Sequence, residues 1–483
     1  MHRNRPTFSD RPRWARFAAA LCALAAAQLA AAENDPFAIE RLRPPRVNAA
    51  WAATVPDPCP PDAQLPSSLS LVQAVDIALC RNPQTRQTWA NARVFAEQVG
   101  VARAAQLPTL SADLTGQRNE TRNVPGAGGQ TQFNAGLSAN YVLFDFGARE
   151  ATLENARQSL LAANWTHNAT LQQVLFATAQ AYYGLFAATE NVAATLAAEQ
   201  SAKESLDAAQ ARLAAGRGTR ADLLQAQTAY SQAQLNRTRA QGSAATARGT
   251  LANALGFDAD RDLLLSPPPD VHAQAVMEEA VASLIARAQQ QRPDLLAAQA
   301  QVRAAESSIR ATEAQGKPTV SAFASASAAQ VSPGFDPRNG AIGVQISIPI
   351  FTGYENTYQI RAARQRLEVQ RAARDKAASD IALDVWTAYH SMRTESQALR
   401  TSLDLVASAQ ESYRAALARY KAGVGTLIDV LNAQSAQASA NSQKIQSQYN
   451  WYIAKASLVR SLGVLDVGVF TGTGPATESP SQR

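Results

Sequence analysis

From Ile342 to Ile350 the apolar residues Ile342, Val344, Ile346, Ile348 and Ile350 alternate with Gly343, Gln345, Ser347 and Pro349. A period of two places one set on each face of an extended strand. The stretch from Pro318 to Val331 alternates Val320, Ala322, Ala324 and Ala326 with Thr319, Ser321, Phe323 and Ser325, and Pro333-Gly334 and Asn339-Gly340 supply turn signals between the two. The same pattern occurs earlier: Leu110, Ala112 and Leu114, then a loop with Pro125-Gly126 and Gly128-Gly129, then Phe133, Ala135, Leu137, Ala139, Tyr141 and Leu143. Two β-hairpins, about 109–146 and 318–352, are predicted.

Each hairpin runs into a long helical stretch. No proline occurs between Pro125 and Pro267 or between Pro349 and Pro475, and residues 354–422 also lack glycine. A helix of that length is about 100 Å long, too long for the interior of an ordinary globular domain. Its apolar sites recur every seven residues, at Val385, Met392, Leu399, Val406, Tyr413 and Tyr420, with Tyr389, Leu403 and Leu417 between them. This is a coiled-coil seam, and a free-standing two-chain coiled coil is one way to satisfy it.

The chain also contains itself twice. Ala211–Gln227 (ARLAAGRGTRADLLQAQ) and Ala418–Gln434 (ARYKAGVGTLIDVLNAQ) share ten of 17 positions at an offset of 207. Leu255-Gly256 and Leu462-Gly463 keep that offset, as do Leu143-Phe144-Asp145 and Ile350-Phe351-Thr352. The expected organisation is a first repeat (67–265, helices about 148–256), a Pro-rich linker (266–275), a second repeat (276–466, helices about 354–462) and a flexible tail (467–483). The period is far too long for an ordinary solenoid.

Within the 17-residue motif, Gly216 and Gly423 suit a helix C-terminus closed in left-handed geometry. Thr219 and Thr426 begin Thr-x-x-Asp capping boxes with Asp222 and Asp429, so each half folds back through a tight helix-turn-helix. N-terminal capping alone accounts for the two aspartates at least as well as any further role.

Four strands of ten or more residues with one apolar face are long enough to span a membrane, but too few to close a barrel, which takes at least eight. Closure therefore needs several chains. Tyr141, Phe144, Phe146, Phe351 and Tyr354 fall where strands meet helices, a suitable place for an aromatic interface belt. A soluble sheet would alternate in the same way, but leaves the long helices and the chain's N-terminal signal unexplained. That signal comprises Arg3, Arg5, Arg11, Arg13 and Arg16, the apolar run Phe17–Ala27 and a small-residue site at Ala30–Ala32, and reads as a secretory signal peptide (1–32). An extended segment (33–66) follows.

Composition and motif content narrow this picture further. Most of the net charge of +6 sits in the signal peptide, leaving too little for a nucleic-acid footprint. An exported chain retains Cys59 and Cys80, either as a disulfide or as two unpaired buried thiols. Three cysteines and four histidines, none in ligand spacing, argue against a metal site. No Walker A, HExxH or GxSxG sequence is present, so neither catalysis nor a cofactor is expected.

From about Leu69 to Leu465 the chain resembles the TolC family of outer-membrane channels in type I secretion and multidrug efflux. The resemblance rests on the duplication, the Asn82-Pro83 and Arg292-Pro293 helix starts, Leu107-Pro108-Thr109, Leu143-Phe144-Asp145, Pro349–Gly353 and the two Arg-x3-Gly-x-x-Thr-x-x-Asp turns. It implies a mostly α fold with membrane β: duplicated helical hairpins forming an α-helical barrel, plus four strands per chain of a trimeric 12-stranded outer-membrane β-barrel. It also implies docking to a periplasmic adaptor and an inner-membrane transporter, an ABC transporter or a proton-driven pump. The cargo implied is a secreted protein toxin, with drug or metal efflux as the alternative.

The resemblance further implies that polar contacts close the periplasmic entrance. The matching positions are Asp222 and Tyr420, and an acidic constriction ring would map to Asp429 and Asn432, so only one of its two acidic positions is retained. The family's gate arginine falls at Gly425, so Arg217 or Arg220 would have to supply the charge. A periplasmic coiled-coil adaptor and a coiled-coil adhesin or rod remain as readings of another class; the lipid-facing hairpins oppose the first and the fold-back turns the second.

Overall fold

The computed structural model describes residues 35–42, 68–120, 129–267, 280–332 and 336–465. The expected signal peptide, Cys59, the tail and the turn residues Pro125-Gly126 and Pro333-Gly334 lie outside the described residues. After a short 3-10 turn (Ile39–Leu42), each half runs through the same six elements. The first has α1 (Leu71–Arg81), α2 (Pro83–Ala104), β1 (Thr109–Glu120), β2 (Gly129–Phe144), α3 (Ala148–Ala214) and α4 (Arg220–Ala254). The second has α5 (Val281–Gln291), α6 (Pro293–Gln315), β3 (Thr319–Ser332), β4 (Arg338–Ser347), α7 (Glu355–Ala422) and α8 (Leu427–Ser461).

Proline sets the first break in each half. Pro83 and Pro293 stand in the first turn of α2 and α6, where the missing N–H costs nothing. Gly256 and Gly463, at φ +78° and +79°, end the helical run and press on that same break: a Cβ on either would lie 3.0 Å from the backbone of Arg81 or Arg292. Each repeat's end therefore packs on its own beginning. Leu69 and Leu265 form a parallel bridge, and the Tyr182 hydroxyl donates to the Ser266 carbonyl at 2.6 Å. Cys80, buried at the end of α1, is disulfide-bonded.

The long helices α3 and α7 have 67 and 68 residues, about 100 Å each. α3 packs on α4, α2, α6 and α8, and α7 on α8, α6 and α5, so the seam is filled within one chain and needs no second strand. Val385, Leu399, Tyr413 and Tyr420 are buried, whereas Leu403, expected in the seam, is 47% exposed. Its neighbour Ser402 is the buried residue and donates to the Leu399 carbonyl. No described helix is long and apolar enough to cross a membrane.

The strands form one antiparallel sheet in the order β1-β2-β3-β4, which leaves β1 and β4 as open edges. The register aligns Ala112, Leu137 and Ala326 in one row, and Tyr141, Ala322 and Val344 in another, along a single face. Leu110, Leu114, Phe133, Ile342, Val344 and Ile346 on this face are each at least 60% exposed. The opposite face carries Ser111, Asp113, Ser138, Asn140, Ser325 and Gln345 in the alternate rows. It holds polar pairs such as Ser111 with Ser138, at 2.8 Å.

Three details differ from the expectation. β4 ends at Ser347, so Ile348 and Ile350 lie beyond it, because Pro349 offers no ladder donor and restricts Ile348. Asn339 and Gly340 pair with Ser327 and Ala326 inside the ladder rather than turning. The pairing slips between Val142 and Phe144: Leu143 is left unpaired and Phe144 takes the apolar face in its place.

Both strand-to-helix junctions use two successive left-handed residues, Phe146-Gly147 and Gly353-Tyr354. At the first, the Asp145 carboxylate accepts from the backbone N–H of Gly147 and Arg149 and from Arg149 Nε at 2.8 Å. Aromatic pairs flank both junctions, Phe144 with Phe146 and Phe351 with Tyr354.

Burial in α1 pushes the Asp76 carboxyl up to about 6 from an ordinary 3.8. Between about pH 4 and 6 the folded chain then holds a proton that the unfolded chain has lost, so stability falls as pH rises through this window. Asp76→Asn is expected to abolish that decline, raising stability at pH 8 while leaving pH 4 unchanged; solvent screening of the half-exposed carboxyl holds the gain to about 1–2 kcal/mol. Thermal unfolding at the two pH values measures it.

Candidate functional site

The duplicated motif folds into two hairpin tips at one end of the long helices. Each helix is closed by a Schellman pair: the Arg217 and Gly216 N–H groups donate to the Arg212 and Leu213 carbonyls, and those of Val424 and Gly423 to Arg419 and Tyr420. Gly216 and Gly423 take the left-handed position, at φ +70° and +84°. Thr219 then accepts from the Asp222 N–H at 3.1 Å while its own N–H and hydroxyl donate to the Asp222 carboxylate. Thr426 and Asp429 repeat the arrangement. Hydrogen bonds from Thr426 hold the exposed Asp429 carboxyl below its usual range.

The tips meet through a residue that sequence reasoning missed. Arg212, in the last turn of α3, donates from Nη1 to the Tyr420 carbonyl at 2.6 Å, and its guanidinium lies 4.6 Å from the centre of the Tyr420 ring. Tyr420 is buried with Leu206, Tyr413, Leu427 and Val430. That burial, with a contribution from Asp222, raises its phenol pKa against the opposing pull of Arg212. The contact that the structure brings together is therefore Arg212 with Tyr420, while Asp222 bonds to Thr219 in its own capping box.

Arg217 and Arg220 stand exposed in the first turn, and Asp429 and Asn432 on the exposed side of α8. A Cβ at Gly425 would lie 3.1 Å from both Arg419 Cβ and the Tyr420 backbone nitrogen, a physical reason for glycine where the resemblance expects arginine. Arg212 was legible only as one of the motif's identities, paired with Arg419. Nothing local separated a bridge from a cation placed against a helix dipole.

A four-stranded sheet with one apolar face and two open edges, set on paired helical hairpins, defines a subunit of a membrane-anchored duct. The family model for outer membrane efflux proteins matches residues 74–257 and 284–464, and the chain belongs to that family. It is 31% identical over 448 residues to Protein CyaE of Bordetella pertussis, covering 89% of this chain and 92% of that relative. It is 26% identical over 400 residues to outer membrane efflux protein BepC of Brucella suis, covering 82% and 86%. A membrane protein from Pseudomonas aeruginosa superposes with a TM-score of 0.73 at 26% identity, over 81% of this chain and 93% of that one. The protein resides in the outer membrane.

Proposed function

We propose that three copies close a 12-stranded barrel in the outer membrane, continue it as a helical tunnel through the periplasm, and serve as a passive duct for an exported polypeptide. The observation that carries this reading is the sheet: an apolar outer face with unpaired edges at β1 and β4 is incomplete alone and is completed only by further copies. No step of passage calls for catalysis. The energy comes from an inner-membrane ABC transporter engaged through a periplasmic adaptor. In this reading the two repeats are the units each copy contributes, and the tip held by Arg212 and Tyr420, with Asp222 beside it on the first hairpin, is the closed entrance.

The resemblance to type I secretion components favours a protein passenger, such as a toxin. The stronger likeness to Protein CyaE than to a relative named for efflux supports it. Deletion of the gene is expected to remove one secreted protein from the medium and to leave drug susceptibility unchanged. Unchanged secretion with heightened susceptibility would establish drug efflux instead.

A further inference from the structure

The tips carry more positive than negative charge, and the excess is free. Within the duplicated motif, Arg212, Arg217, Arg220, Arg419 and Lys421 face only Asp222 and Asp429, an excess of three cations per chain. Arg217, Arg220, Arg419 and Lys421 are all exposed, and none makes an ion pair among the described residues. Both aspartates are engaged in capping boxes, and Asn432, exposed on the first turns of α8, is neutral. Helix dipoles do not offset the excess: two C-termini, of α3 and α7, and two N-termini, of α4 and α8, meet here, so end charges of about −0.5 and +0.5 cancel.

We propose that the assembled tips form an electropositive ring that admits anions in preference to cations, and so favours acidic stretches of the exported polypeptide. Rings of Arg and Lys select anions in other pores by the same physics. Three copies bring nine uncompensated cations to one opening. Arginine stays charged at every working pH, so the preference does not titrate away near neutrality. Salt weakens it, because the screening length falls from about 10 Å at 0.1 M to about 3 Å at 1 M.

This inference rests on the duct reading, and the test separates the two. Trimers extracted from outer membranes are placed in planar bilayers under a potassium chloride gradient, and the reversal potential is read. Chloride is expected to permeate several-fold more readily than potassium at low salt, with the ratio approaching one at high salt. Polyglutamate on the side of the tips should block the current, and polylysine should not. The double variant Arg217→Glu/Arg220→Glu turns the excess of three into a deficit of one and should reverse the sign of the potential. A cation-preferring wild type, or a double variant with an unaltered potential, overturns the electropositive ring and leaves the duct standing. Bilayers in which the purified protein never conducts overturn both.

Discussion

Leu137→Arg is expected to abolish heat-resistant trimers and outer-membrane insertion, whereas Ser138→Arg, one residue further on, should leave both intact. Leu137 lies near the middle of β2 with Ala112 and Ala326 beside it on the apolar face, and Ser138 points to the polar face opposite Ser111 and Ser325. A cation on the lipid side near the bilayer midplane costs about 2–4 kcal/mol per chain. In a ring of three this approaches the whole stability of an ordinary domain. On the polar side it meets water and changes only what passes. Unheated gel electrophoresis of membrane fractions reads the outcome, and equal assembly of the two variants would remove the barrel from the account.

Arg212→Ala is expected to raise the bilayer conductance of the resting protein more than Asp222→Ala does. The charge-assisted bond from Arg212 to the Tyr420 carbonyl, with the ring contact beside it, is worth about 2 kcal/mol. Its loss corresponds to roughly a 30-fold shift per copy between closed and open tips. Asp222 retains its cap to Thr219 and influences Tyr420 only through its charge, so removing it should act more weakly. Single-channel recordings decide between them. A closed-state current unchanged by Arg212→Ala would leave this residue as a helix-end cation alone.

Much of this architecture is legible in the residues because two periods compete nowhere in the chain. Strict alternation at Leu110–Leu114 and Ile342–Ile346 cannot serve a helix, and the glycine-free run 354–422 with its sevenfold repeat cannot serve a strand. Where the expectation missed, a neighbour overrode local preference. Asn339-Gly340 has the chemistry of a turn, yet β3 offers Ser327 and Ala326 as ladder partners and the strand begins earlier. Leu143 fits the alternation but falls on a bulge, a displacement that depends on its pairing with β3. The tip glycines and threonines announce their turns by conformation and capping. Arg212 did not announce its partner, because Tyr420 lies 208 residues away and is reached only once both repeats are folded.

The open margins of the sheet bear on the interval before assembly. A newly translocated copy presents bare amides along β1 and β4 and a greasy surface at Ile342 and Val344, the template on which misassembled fibres grow. Joining neighbouring copies edge to edge covers those rims, so assembly and protection from aggregation are the same event for this sheet.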